Sequence, residues 1–271
     1  MQLNEWLTFA SNRLKVAGVS SFKLEAQVLA AHAMLVDRTW VLTHPDHEVN
    51  DFALENLLQR RETGEPLAYI LGYREFFSRR FRVDPNVLIP RQETEILVET
   101  ALDVPDNNLR VLDIGTGSGC IAITLKLERP NWDVWATDIS SSALQIAREN
   151  AETLGAEITF RHSDLLDQLE GEKFNIIVSN PPYIGRDEVI PMEVRNFEPY
   201  SALFAENEGL DIYQKLAVQV PNHLHPGGTL ILEIGQDQGK LVSEMFRGSQ
   251  VVKDLSKNDR VIKWNQIGES A

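Results

Sequence analysis

The chain has 271 residues, of which 43% are hydrophobic and 24% charged, and its formal net charge is −14. This composition is ordinary for a folded protein with a sizeable core, and the acidic balance argues against autonomous binding to nucleic acid. Cys120 is the only cysteine, so no internal disulfide can form, which suits a reducing cytoplasm. We expect neither a signal peptide nor a membrane helix, because no stretch approaches roughly 20 apolar residues.

The first part of the chain carries apolar residues at helical spacing. One stripe consists of Leu3, Trp6, Leu7, Ala10 and Leu14, and another of Leu54, Leu57 and Leu58. Residues three and four positions apart share one face of a helix. We therefore predict a small helical domain over residues 1–75.

Glycine and proline then punctuate short aromatic and β-branched runs, which predicts a β-hairpin linker over residues 76–90. Four arginines lie close together in this part of the chain: Arg74, Arg79, Arg80 and Arg82. Two interpretations of this cluster remain open, a solvated turn and a functional basic patch.

From residue 91 to residue 271, strand-like and helix-like patterns alternate. The predicted strands are LRVLDI, DVWATD, EITFRH, FNIIVSN, GTLILEIG, QVVKDL and RVIKWNQ. Alternation of this kind predicts parallel strands with right-handed crossovers, that is, a doubly wound, Rossmann-like α/β sheet. Ligands in such sheets lie beyond the carboxyl ends of the strands, where the strand order reverses.

A glycine-rich loop follows the first of these strands. It comprises Gly115, Thr116, Gly117, Ser118 and Gly119, and a helical pattern continues from it. Strand, loop and helix in this order are typical of a nucleotide or nucleoside site. The dinucleotide fingerprint would need a glycine where Cys120 stands, so NAD is disfavoured.

Acidic residues end the next two strands. Asp138 can accept hydrogen bonds from ribose hydroxyls, or it can cap the helix that begins near Ser141. Asp164 is a candidate for binding an adenine amino group and Leu165 for covering the ring, although each could instead be a capping or core residue. An acidic residue and a loop without lysine favour a nucleoside such as S-adenosylmethionine over a nucleotide.

The fourth strand stops at Asn180, Pro181, Pro182 and Tyr183. Neither proline offers an N–H, so the strand ladder cannot continue. Taken alone, this tetrapeptide can be a rigid turn. Because the glycine loop ends a strand of the same predicted sheet, both should meet at one cleft.

The motifs "DIGTGSG" (113–119), "ATDIS" (136–140) and "NPPY" (180–183) resemble class I S-adenosylmethionine-dependent methyltransferases that act on planar nitrogens. More closely, the chain resembles the release-factor glutamine methyltransferase (PrmC/HemK) family. The further matches are "GEPLAYILGYREFF", "VLIPRQETEILVE", "NFEPYSAL" and "LEIGQDQG". Leu165 stands where some members have tryptophan.

The resemblance implies a seven-stranded methyltransferase sheet, an N-terminal helical domain that docks the substrate protein, and class I peptide-chain release factors as partners. It implies methylation of the glutamine amide in their Gly-Gly-Gln tripeptide, with S-adenosyl-L-homocysteine as product. Cofactor-binding roles are implied for the loop residues Gly115 to Gly119 and for Asp138, Asp164, Leu165 and Asn180. Asn180, Pro181, Pro182 and Tyr183 would hold the substrate, and Asn180, Pro181 and Tyr183 are the catalytic candidates.

The expected chemistry follows from the weakness of an amide nitrogen as a nucleophile. The Asn180 side-chain oxygen and the Pro181 backbone oxygen would each accept one N–H of the substrate amide, and the Tyr183 ring would pack against it. No metal is expected, because the histidines show no ligand spacing. Arg195 and Glu198 could shape the substrate entrance or form an exposed ion pair, and Glu233 is equally ambiguous.

Two other functions remain open. One is methylation of adenine in nucleic acid, which uses the same tetrapeptide on a flipped base; the acidic charge argues against it. The other is a non-enzymatic S-adenosylmethionine-binding or scaffolding protein, against which the intact tetrapeptide argues. We expect a cytoplasmic monomer that binds neither nucleic acid nor a membrane.

Overall fold

The computed structural model describes residues 1–105 and 108–266, so parts of the predicted 91–271 domain (106–107 and 267–271) lie outside the described residues. The chain forms two compact units. The first unit comprises Met1–Tyr73 and Ile190–Phe197; the second comprises Arg74–Val189 and the chain from Glu198 onward. The domain limits 1–75, 76–90 and 91–271 stay predictions.

The helices are α1 (Leu3–Val16), α2 (Phe22–Met34), α3 (Arg38–Thr43), α4 (Asp51–Glu62), α5 (Leu67–Leu71), α6 (Glu95–Leu102), α7 (Cys120–Glu128), α8 (Ser141–Leu154), α9 (Met192–Phe197), α10 (Tyr200–Leu203), α11 (Glu206–Gly209), α12 (Asp211–His223) and α13 (Gly239–Met245). The strands are β1 (Tyr73–Phe76), β2 (Arg79–Arg82), β3 (Arg110–Ile114), β4 (Asp133–Asp138), β5 (Thr159–His162), β6 (Phe174–Ser179), β7 (Ile184–Gly185), β8 (Phe204–Ala205), β9 (Leu224–Glu233), β10 (Gln250–Lys253) and β11 (Asp259–Asn265). A 3-10 turn covers Gln92–Thr94. Among the described residues, no helix is both long and apolar enough to cross a membrane.

The first unit packs its helices around one apolar core. The predicted stripe on α1 is buried at Leu3, Trp6, Ala10 and Leu14. These side chains cluster with residues from α2 and α4, including Leu29 and Leu58. Four of the five residues that the helical spacing selected on α1 are therefore buried in the core of this unit.

A buried charge cluster also holds this unit. Arg61, in the last turn of α4, is 5% exposed, and its Nε donates to the Glu25 carboxylate of α2 at 2.6 Å. Its Nη2 donates to Glu193 of α9 at 3.0 Å. A single guanidinium thus joins three helices through charge-assisted hydrogen bonds.

The second unit is built on a seven-stranded sheet of order β10-β11-β9-β6-β3-β4-β5. The strands from β9 to β5 are parallel, as the alternation predicted. The expectation of parallel strands is wrong for β11, which pairs antiparallel with β9 on one side and with β10 on the other. The short turn between β10 and β11 leaves no room for a crossover helix, so an antiparallel hairpin is the only solution.

Alternate residues of the central strand β3 face two different cores. Val111 belongs to the core under α6 and α7, whereas Leu112 and Ile114 belong to the core under α12. A strand buried on both faces reads as a near-continuous apolar run, as "VLDI" does. The exception in that run is Asp113, which is fully buried.

The basic cluster of the hairpin is largely paired with carboxylates. Arg79 pairs with Glu128, Arg80 with Glu75, and Arg82 with Asp84 and Glu149. The two-residue turn between β1 and β2 places Phe77 and Ser78 at positive φ, as the tightest hairpin turns require. These ion pairs favour the solvated turn over a functional basic patch.

We predict that Arg61→Ala lowers the free energy of unfolding by about 3–5 kcal/mol, because Glu25 would stay buried without its counter-charge. Arg60→Ala is the matched control. The adjacent Arg60 side chain is 39% exposed in its ion pair with Glu65, and losing that pair should cost less than about 1 kcal/mol. Urea denaturation followed by circular dichroism measures both losses, and equal losses would contradict the role assigned to the buried cluster.

Candidate functional site

A cavity of about 440 Å³ lies at the carboxyl ends of β3, β4, β5 and β6 in the second unit. This volume is within the range of small-molecule sites. The predicted residues that line it are Gly115, Thr116, Gly117, Ser118, Asp138, Asp164, Leu165, Asn180, Pro181 and Pro182. Gly119 and Tyr183 are not among its lining residues. The structure therefore brings most of the candidates from four separate strand ends to one place.

The glycine loop is tied to the neighbouring strand by its backbone. The N–H groups of Gly115 and Thr116 both donate to the Thr137 carbonyl at 2.9 Å. Gly115 and Gly117 have positive φ, and a Cβ built on either would have no atom within 4 Å. No side chain covers the loop backbone at Gly115 and Gly117, where it lines the cavity, so a ligand can approach this backbone closely.

Gly119 has a different task, since it begins α7 at φ +82°. A Cβ there would lie 2.8 Å from Ile123 Cδ1 and 3.2 Å from the Ala147 Cβ of α8. The lack of a side chain lets α7 and α8 pack closely. This packing explains why Gly119 does not line the cavity.

Asp138 is buried at the end of β4, and each of its carboxylate oxygens accepts a backbone hydrogen bond. Oδ2 accepts from Gly117 N at 2.9 Å, and Oδ1 accepts from Ser140 N at 2.8 Å. Ser140 caps α8 by accepting from Ala143 N, so the alternative of Asp138 as the N-cap is wrong. Burial raises the pKa of Asp138, and the two backbone hydrogen bonds oppose that shift.

Asp164 and Leu165 follow β5 on the same wall of the cavity. The Asp164 side chain is exposed, and the backbone N–H of Asp164 donates to Gln168 Oε1 at 3.0 Å. Leu165 is half-buried with a φ of +48°, an unfavourable conformation for a leucine. A strained backbone conformation of this kind is kept only where the surrounding structure fixes the residue in one position.

The tetrapeptide after β6 is held at both ends. Asn180 Nδ2 donates to Thr94 Oγ1 at 3.2 Å, and the Tyr183 carbonyl accepts from Gln238 Nε2 at 3.0 Å. The Tyr183 ring is half-buried against the core under α12, and burial raises the pKa of its phenol. Its predicted place against a substrate amide stays a prediction.

Several lining residues were not predicted as site residues, among them Arg91, Thr94, Ile139 and Tyr200. Arg91 and Thr94 belong to the "PRQETE" segment, so its mixture of charge and hydroxyl was an available signal. Ile139 is 57% exposed directly after Asp138. Ile139 is therefore an exposed apolar side chain at the cavity, and a single residue of this kind gives no signal in the sequence.

Two carboxylates beside the cavity are buried more deeply than the sequence indicated. The Glu198 side chain pairs with Arg91 and accepts from Ile89 N at 3.0 Å, so an exposed ion pair is wrong for Glu198. Glu233 is 1% exposed, and burial raises its pKa to about 7.

Asp113 is also buried, and burial raises its pKa to about 7 although the Thr116 hydroxyl donates to it at 2.6 Å. Its other carboxyl oxygen has no partner among the described residues. Through the hydrogen bond that it accepts from Thr116, the Asp113 carboxyl holds this residue of the glycine loop in place.

Comparisons with known proteins bear on both parts of the chain. Residues 91–197 match the family described as Methyltransferase small domain, and residues 5–72 match the PrmC N-terminal domain. The chain is 43% identical to the release factor glutamine methyltransferase of Koribacter versatilis, over 97% of this chain and 98% of that protein. It is 44% identical to the release factor glutamine methyltransferase of Neisseria gonorrhoeae, over 96% of each.

A crystal structure of a methyltransferase from Pyrococcus furiosus has the same fold. Its TM-score is 0.56 at 18% identity, over 79% of this chain and 99% of that chain. The predicted fold class, a Rossmann-like methyltransferase sheet with an N-terminal helical region, is confirmed.

We predict that Gly209→Ala destabilises the protein more than Gly227→Ala does. Both glycines have a φ near +80°, so either alanine adopts a left-handed conformation at a cost of about 1 kcal/mol. A Cβ on Gly209 would also lie 2.1 Å from the Tyr183 carbonyl oxygen, whereas one on Gly227 has nothing within 4 Å. The contact should add about 1–3 kcal/mol or more to the loss measured by urea denaturation. Equal losses would contradict this prediction, because they would show that the backbone at Tyr183 moves away from the added methyl group at little cost in free energy.

Proposed function

The chain belongs to the family of release factor glutamine methyltransferases, and from that premise we propose how its residues carry out the reaction. It is an S-adenosylmethionine-dependent methyltransferase that acts on glutamine in a release factor. We propose that the methyl group goes to the side-chain amide nitrogen of the glutamine in the Gly-Gly-Gln tripeptide of class I factors. The observation that carries this proposal is that Asn180 and Pro181 line the same cavity as the glycine loop and Asp138.

The residues of the cavity fit S-adenosylmethionine. The bare backbone at Gly115 and Gly117 leaves room for the ligand against the loop. Asp138 is buried, and its carboxylate oxygens keep lone pairs beyond the two backbone hydrogen bonds that they accept. We propose that these lone pairs accept the ribose hydroxyls, that Asp164 binds the adenine amino group and that Leu165 covers the ring. S-adenosylmethionine supplies a methyl group on a sulfonium sulfur, and S-adenosyl-L-homocysteine remains after transfer.

The substrate amide needs orientation because its nitrogen lone pair is delocalised into the carbonyl. Asn180 Oδ1 and the Pro181 carbonyl oxygen would each accept one N–H of the glutamine amide, which leaves its nitrogen facing the methyl group. Pro181 is buried and both prolines have fixed φ, so the acceptors are held before the substrate binds. Preorganisation of this kind is a major source of rate enhancement.

Charge moves from sulfur to nitrogen during the reaction. A nitrogen–carbon bond would form as the carbon–sulfur bond breaks and leaves its electron pair on sulfur, and the amide nitrogen would be positive until one of its two protons passes to water. The two acceptor oxygens face this nitrogen, so their hydrogen bonds strengthen as its charge grows. No side chain has to remove the proton before methyl transfer.

We propose that the predicted helical domain, residues 1–75, docks the release factor. Its surface exposes large apolar side chains, including Leu42 at 52% and Phe52 at 86%. Exposed aromatic and aliphatic side chains are typical anchors of a protein interface. A cytoplasmic monomer without direct contact to nucleic acid stays our prediction.

Transfer from S-adenosylmethionine labelled in the methyl group tests the substrate. A class I release factor should be labelled, and its variant with alanine in place of the tripeptide glutamine should not. A DNA duplex and an unrelated glutamine-rich protein serve as parallel acceptors. Label in the DNA with none in the release factor would overturn the proposal in favour of adenine methylation.

We predict that Asn180→Ala lowers turnover by roughly 100-fold or more, because one of the two acceptors of the amide is lost. Calorimetry should still detect S-adenosylmethionine binding. Asn175→Ala is the matched control, since this half-buried asparagine at the other end of β6 accepts from Arg110 N at 2.9 Å, away from the cavity. Its turnover should stay near that of the unchanged protein, and full turnover by Asn180→Ala would remove Asn180 from the mechanism.

A further inference from the structure

Thr94 ends the 3-10 turn that precedes α6, and its hydroxyl reaches the wall of the cavity. The residue is 2% exposed and lines the cavity beside Asn180. Its Oγ1 accepts a hydrogen bond from Asn180 Nδ2 at 3.2 Å. The residue therefore touches the side chain that is assigned to the substrate amide.

The atom of Asn180 that faces Thr94 is its amide nitrogen. A hydroxyl has one proton and two lone pairs, and Thr94 Oγ1 uses a lone pair to accept from Asn180 Nδ2. Asn180 Oδ1 is therefore the amide atom that is left for a different partner.

We infer that Thr94 is a positioning residue, which holds the Asn180 carboxamide so that Oδ1 points away from Thr94 and toward the substrate amide. The inference rests on the proposed function and assigns Thr94 a part in it. In the reverse orientation, Asn180 would present N–H donors to the N–H groups of the substrate glutamine. It would also replace the Nδ2 donor, from which Thr94 Oγ1 accepts in this structure, by an acceptor oxygen.

The backbone around Thr94 is anchored well enough to set this geometry. The Thr94 N–H donates to the Arg91 carbonyl at 3.2 Å, which closes the 3-10 turn. Arg91 pairs with the buried Glu198, which also accepts from Ile89 N at 3.0 Å. Two residues that precede the turn are thus fixed to one carboxylate, which limits the freedom of Thr94 to move away from Asn180.

Three substitutions at this position separate the hydroxyl from the packing of the side chain. Thr94→Val keeps the shape and removes the hydroxyl. Thr94→Ser and Thr94→Ala both lose the methyl group, and only the serine keeps the hydroxyl. Each variant is measured as the full-length protein for methyl transfer to a class I release factor, for S-adenosylmethionine affinity by calorimetry and for its thermal unfolding midpoint.

We expect Thr94→Val to lower kcat about tenfold, the effect of one hydrogen bond, with S-adenosylmethionine affinity unchanged within about twofold. Thr94→Ser should keep kcat within about threefold of the unchanged protein and exceed Thr94→Ala by about tenfold. A side chain that matters only for packing would instead give equal rates for Ser and Ala.

The results that would contradict the proposed function differ from those that would contradict the role of Thr94. If the unchanged protein does not methylate the release factor, the proposed function is wrong. If it does, and Thr94→Val turns over at full rate, the positioning role is wrong while the function stands. If Thr94→Val does not fold, equal kcat values for Thr94→Ser and Thr94→Ala overturn the inference, and a clear excess for serine supports it.

Discussion

The parallel pairing of β3 with β4 on one side and β6 on the other is the constraint on which the site depends. It aligns Ile114 with Thr137 and with Ser179, so three strands end at one edge of the sheet. The Thr137 carbonyl then accepts two loop N–H groups, and Ser179 Oγ donates to the Ile114 carbonyl at 2.8 Å. The glycine loop, Asp138 and Asn180 are consequently neighbours, although they are far apart in sequence.

A buried carboxylate then holds a segment that no strand holds. Glu198 accepts from Ile89 N and pairs with Arg91, so it fixes the chain that leads to Thr94. A buried carboxylate is costly unless it is hydrogen-bonded or paired, so these contacts are specific in geometry. The cavity wall opposite the glycine loop is built from irregular chain that is anchored in this way.

The sequence was informative where a local pattern has one physical cause. Apolar periodicity indicated the helical unit and the doubly wound sheet, and the glycine loop and tetrapeptide indicated which strand ends to examine. It was wrong about the pairing of β11 with β9 and β10, because an apolar alternating strand reads the same in a parallel and an antiparallel pair. It left Asp138 between two roles, and the structure excluded one of them when Ser140 proved to be the cap of α8. The role of Asp138 in binding ribose stays a proposal.

The sequence by itself determined the family, the fold class and the residue types of the candidate site, because these depend on local pattern and on motifs. Only the tertiary structure decided which polar groups face one another. It placed Thr94 on Asn180, Glu198 on Arg91 and the Tyr183 ring against the core under α12. Such contacts join residues distant in the chain, and the need to satisfy buried polar groups selects them only when the layers of the fold have packed.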